Sequence, residues 1–90
     1  EFLLVCPNTD VDGAVVLAEQ LRKRLETTDH QDGDTRIRVT ASFGVAVMGP
    51  DPRPDAARLL RRADLALYLA KEAGRNRVEL WTPPVVRPEA

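Results

Sequence analysis

Three hydrophobic rhythms run along the chain. Phe2 to Cys6 is an unbroken apolar run, the pattern of a strand buried on both faces. Pro7 ends it, because proline has no N–H to continue a ladder. Such a strand, beginning at residue 2, has no preceding element to cover or pair it. From Val11 the period changes to that of a helix. Val11, Val15, Ala18, Leu21 and Leu25 recur at helical spacing, with Ala14 and Leu17 widening the stripe, which predicts a helix from about Val11 to Glu26. Thr9 and Asp12 have capping-box spacing at its start. Arg22, Lys23 and Arg24 sit toward its end, where the helix dipole favours cations.

Thr27 to Asp34 is polar, contains Gly33 and reads as a loop. Thr35 to Met48 then alternates. Ile37, Val39, Ala41, Phe43, Val45 and Val47 point one way, and Arg36, Arg38, Thr40, Ser42, Gly44 and Ala46 the other. This predicts one long strand. The small residues on its second face suggest close approach by another backbone or a ligand, packing being the favoured reading. Gly49 to Pro54 is a proline-rich surface loop. Asp55 can cap the next helix, whose stripe is Ala56, Leu59, Leu60, Ala63, Leu67 and Ala70, broadened by Leu65, Ala66 and Leu69 for burial against a sheet. Gly74 is the expected residue just past the helix. Val78 to Trp81 forms a short last strand, and residues 83–90 form a flexible proline-rich tail. Strand, helix, strand, helix and short strand make an α/β fold, with helices packed on a central sheet.

Composition narrows the partners. Hydrophobic residues at 43% and charged residues at 30% are the mix of a globular chain rather than a disordered one. Thirteen basic residues nearly balance fourteen acidic ones, so a general electrostatic affinity for nucleic acid is not expected. No apolar run approaches the roughly 18 residues of a membrane span, and no signal-peptide pattern opens the sequence. The single cysteine, Cys6, excludes an internal disulfide and a cysteine zinc site, and reads as a small buried hydrophobe. His30 reads as a solvated loop histidine. These features suit a chain in a reducing cytosol.

Periodicity alone yields a fold class and no activity; particular words of the sequence go further. Glu1-Phe2 leads directly into Leu3-Leu-Val-Cys-Pro-Asn-Thr9. Val39 to Val45 reads Val-Thr-Ala-Ser-Phe-Gly-Val, and later come Arg62-Ala-Asp64, Leu67-Tyr-Leu-Ala-Lys71 and Gly74-Arg-Asn76. In this order, over nearly all of the chain, these blocks resemble the C-terminal half of a GGDEF domain, the diguanylate cyclase family. The resemblance implies a nucleotide-cyclase-like α+β sandwich, with residues 1–82 as the latter half of the domain. It makes Glu1 and Phe2 the last two letters of the Gly-Gly-Asp/Glu-Glu-Phe signature.

The chemistry implied is condensation of two GTP molecules into cyclic di-GMP with release of pyrophosphate. Two antiparallel domains each present one GTP, making the working partner a second copy of the domain. Lys71 and Arg75 match residues that contact the GTP phosphates. Glu1 matches the second acid of the signature, beside the metal and the reacting phosphate. Asp64, Tyr68, Ser42 and Gly44 match positions read as structural. The complete domain would use Mg²⁺ or Mn²⁺, whereas none is expected to bind this chain tightly. The first strand with its metal-binding Asp, the guanine-recognising residues and the Arg-x-x-Asp product-inhibition motif have no counterpart here. Gln20 stands where some members add an inhibitory-site Arg, although Arg22 or Arg24 could substitute. The expectation is an inactive isolated chain that self-associates through an edge-paired or swapped assembly. The alternative is a degenerate GGDEF domain that binds GTP or a protein without turnover.

Overall fold

The computed structural model describes residues 9–48 and 55–83. The strand predicted over Phe2–Cys6, the loop predicted over Gly49–Pro54 and the tail from Pro84 onward lie outside the described residues. Helix α1 spans Val11–Thr27. Its N-cap is Asp10 rather than Thr9. Asp10 is extended, at φ −82° and ψ 179°, and its Oδ1 accepts the Gly13 N–H at 2.7 Å. A short carboxylate both satisfies an orphan N–H and faces the positive end of the helix dipole. At the other end the Thr28 N–H bonds the Arg24 carbonyl at 3.0 Å.

The predicted loop and the predicted long strand both need correction. His30–Asp32 forms β1 and Thr35–Ile37 forms β2. They pair antiparallel, with His30 opposite Ile37 and Asp32 opposite Thr35. Gly33 at φ 60° is the first central residue of the turn, the place where a two-residue II′ hairpin requires glycine. The alternating segment therefore does not act as one strand. Among the described residues it leaves the hairpin after Ile37 and pairs again only at β3, Phe43–Val45, in a different sheet. Alternation records which side each residue faces. It carries no information about the pairing partner, and here the partner changes midway.

β3 pairs parallel with β4, Val78–Leu80, with Phe43 opposite Val78 and Val45 opposite Leu80. Bonds from the Phe43 N–H to the Arg77 carbonyl and from the Trp81 N–H to the Val45 carbonyl, each 2.8 Å, extend the ladder at both ends. Parallel strands need a long crossover, and helix α2, Ala56–Glu72, lies within it. Its N-cap is Asp55, as expected, whose carboxylate accepts the N–H groups of Ala57 at 3.0 Å and Arg58 at 3.3 Å.

Both helices pack on β3 and β4. α2 comes so close that a Cβ on Gly44 would lie 2.2 Å from the Ala63 carbonyl oxygen and 2.3 Å from the Leu67 nitrogen. At Gly44 the small face of this segment thus serves helix packing, the favoured reading of it. Ala66 and Ala70 are wholly buried at this contact face, and Ala18 is the buried residue of α1. The predicted stripe on α2 is accordingly too wide. Leu60, Leu65 and Leu69 are exposed, because a helix backbone laid on a strand admits only alanine-sized side chains at the seam.

Candidate functional site

The site grows from the end of α2. Ala73 caps the helix, and Gly74 follows at φ 119°. The Arg75 N–H bonds the Ala70 carbonyl at 3.0 Å, and the Gly74 N–H reaches the Lys71 carbonyl at 3.4 Å. These two bonds form a Schellman motif, which ends a helix by turning the next residue left-handed. The turn then continues beyond the motif. Arg75 has φ 62° and Asn76 has φ 47°. Three successive residues are left-handed, and two of them are not glycine.

Helix α1 and the residue before β3 hold this turn. The Asn76 backbone N–H donates to Ser42 Oγ at 3.1 Å. Its side-chain Oδ1 accepts from Arg22 Nη1 at 3.0 Å, and its Nδ2 donates to Glu26 Oε2. Arg22 in turn donates from Nε to Glu19 Oε1 at 2.9 Å and from Nη1 to Glu26 Oε2 at 3.1 Å. Glu19 and Glu26 lie three residues before and four after Arg22, so all three project from one face of α1. The Arg22 hydrogen bond holds the Glu19 carboxyl below its usual range. Glu26 is lowered first by its bond from Asn76, against a desolvation penalty, and then by the charges of Arg22 and Arg38. Arg22 is raised, chiefly by its bond to Glu19. Its side chain is 14% exposed, so Arg22 acts as an internal tie of the fold rather than as a surface cation at the helix end.

Beside the turn lies an open depression of about 310 Å³, lined among the described residues by Asp64, Leu67, Tyr68 and Lys71. These positions follow helical spacing and form one face of α2. Tyr68 is exposed at its edge and Lys71 is half-buried. Lys71 therefore brings a cation to a concave surface that also carries the Asp64 carboxylate and the Tyr68 phenol. Arg75 is exposed on the turn that follows and does not line the depression. Glu1 lies outside the described residues. Elsewhere on α2, the Arg62 guanidinium stacks 4.1 Å from the centre of the ring of Trp81, the residue after β4, tying the helix to the end of that strand.

Lys71 and Arg75 are legible in the sequence as matches to family phosphate positions, whereas Asn76 has no role there. Its partners are 34, 50 and 54 residues away. The only local signal was the Glu19–Arg22–Glu26 spacing, which could have shown Arg22 as an internal partner instead of a dipole cation.

Comparison with known proteins assigns the family. Residues 1–77 match the family model described as "Diguanylate cyclase, GGDEF domain". The chain belongs to the GGDEF family. It is 39% identical over 82 residues to "Diguanylate cyclase DosC" of Escherichia coli, covering 90% of this chain and 17% of that one. It is 39% identical over 80 residues to "Diguanylate cyclase A" of Treponema denticola, covering 89% of this chain and 21% of that one. It also matches "Cyclic di-GMP phosphodiesterase PdeR" of Escherichia coli at 31% over 83 residues, or 92% of this chain and 12% of that one. The active GGEEF domain of a diguanylate cyclase from Vibrio cholerae has the same fold, with a TM-score of 0.70 at 35% identity over 88% of this chain and 49% of that one. The chain thus spans about a fifth or less of these curated relatives and about half of that solved chain.

Proposed function

We propose that this chain forms the phosphate-binding end of a diguanylate cyclase that condenses two GTP molecules into cyclic di-GMP and pyrophosphate. The observation that carries the reading is Lys71, a half-buried cation at the rim of a depression on α2 in a GGDEF-family chain. Its ammonium would offset triphosphate charge from the depression. Arg75, from the adjoining turn, would add a planar, bidentate donor. Two such domains, each presenting one GTP, would bring a 3′-hydroxyl to the α-phosphorus of the other nucleotide. Each transfer forms one P–O bond and breaks another, and pyrophosphate leaves. GTP as substrate fits a cytoplasmic setting. No described helix is long and apolar enough to cross a membrane.

Mg²⁺ or Mn²⁺ would supply charge neutralisation at the reacting phosphate. Among the described residues no three His, Cys, Asp or Glu side chains gather to hold such an ion, so they do not fit a metal centre. Glu1 is the acid of this chain that the family resemblance puts beside that metal.

The test is cyclic di-GMP production from GTP by the full-length protein. Lys71→Ala and Arg75→Ala should each weaken GTP use by about tenfold or more, the worth of a charge-assisted hydrogen bond. Wild-type protein that makes no cyclic di-GMP would overturn the reading. The isolated 90-residue chain is expected to give no turnover.

A second reading, a degenerate domain that binds without turnover, draws support from the match to PdeR, a relative named for phosphodiesterase activity. GTP binding without product would favour it. So would loss of the signature acid just upstream of Glu1.

A further inference from the structure

We propose that Asn76 is a positioning residue for triphosphate binding, tying the turn that carries Arg75 to helix α1 and so setting where the Arg75 guanidinium stands. The inference rests on the reading of Arg75 as a phosphate contact. Arg75 is exposed and its side chain makes no hydrogen bond or ion pair with another described residue. Its position is therefore set by its backbone, and that backbone is left-handed at φ 62°.

A left-handed backbone is disfavoured for residues other than glycine, so two in succession must be held by something. The Schellman bonds hold only the first, through the Arg75 N–H. The second, Asn76, is held from outside the helix. Asparagine tolerates this conformation better than most residues. All three of its bonding groups other than the backbone carbonyl are engaged: the backbone N–H by Ser42, Oδ1 by Arg22, and Nδ2 by Glu26. The far side of the tie is itself ordered, because Glu19 and Glu26 bracket Arg22 on α1. The clamp stops one residue short of Arg75 and leaves that guanidinium available.

The test is a double-mutant cycle on the full-length protein, read as affinity for inorganic tripolyphosphate by calorimetry. Asn76→Gly keeps the left-handed backbone accessible and removes the carboxamide. Arg75→Ala should weaken binding about tenfold, and Asn76→Gly about fivefold. The double variant should bind no more weakly than Arg75→Ala alone, since without Arg75 no guanidinium is left for Asn76 to place. A purely structural Asn76 would lower the melting temperature and leave the affinity unchanged. Asn76→Gly at wild-type affinity, or losses that multiply in the double variant, overturns the proposal. If Arg75→Ala itself binds normally, the phosphate reading of Arg75 fails first, and that outcome is distinct. Should Asn76→Gly not fold, the isosteric Glu26→Gln replaces it in the same cycle with the same criteria, with an expected loss of about twofold to threefold.

Discussion

Helices α1 and α2 are both 17 residues long, both begin on an aspartate cap, and both pack on β3 and β4. They are fastened in opposite ways. α2 is held by shape: its backbone lies directly on Gly44, with Ala66 and Ala70 sealed at the seam. α1 buries one alanine and is linked through a polar cluster, Glu19–Arg22–Glu26, that reaches across to Asn76. The shape contact tolerates almost no change in volume, because the strand and helix backbones leave no room. The polar link tolerates changes in volume better but depends on charge, hydrogen bonding and solution conditions. The more rigid contact supports the helix that carries Lys71. The chemically adjustable one holds the turn that carries Arg75.

The sharpest way to break the contrast is Gly44→Ala. The new methyl would fall 2.2 Å from a backbone oxygen, and neither strand nor helix can yield cheaply. A loss of about 3 kcal/mol is expected in thermal or urea unfolding of the protein. The same change in α1, Gly13→Ala, meets only the side chains of Asp10 at 3.0 Å and Thr9 at 3.3 Å. There the gain in helix propensity, about 1 kcal/mol, offsets the tight contact, so little net change is expected. Equal losses at the two glycines would erase the distinction.

The caps should behave alike, because capping is local to each helix. Asp55→Ala removes the acceptor for two N–H groups and Asp10→Ala for one. Each should cost about 1 kcal/mol by denaturant titration. Arg62→Ala removes the stack on Trp81 and should cost about 0.5–1 kcal/mol in the same assay.

The smallest expected effect is the most selective. The folded-state values of Glu19 and Glu26 are lowered from 4.5. Their stabilisation is therefore fully present above the ordinary carboxylate range and is lost as pH falls through the lowered values. Acid should loosen the α1 link before the α2 seam, and high salt should weaken the α1 link more than that seam. Hydrogen exchange followed from pH 6 downward should show α1 amides and the Asn76 turn losing protection ahead of α2. Simultaneous loss in both helices would contradict the separation.

What the sequence by itself determined is local or verbal. The two helices lie within a residue or so of their expected bounds, because 3.6-residue periodicity, aspartate caps and Gly74 act over neighbouring positions. The blocks ending in Lys71 and Asn76 point to the family. What only the tertiary structure decided depends on distant partners. The alternating run from Thr35 to Met48 hid a change from an antiparallel partner to a parallel one. The leucines Leu60, Leu65 and Leu69 matched an apolar stripe, yet the close seam with Gly44 selected the alanines and left those leucines exposed. Asn76 gave no local sign of its role, because its meaning comes from Ser42, Glu26 and Arg22, side chains that only the folded chain brings within hydrogen-bonding distance.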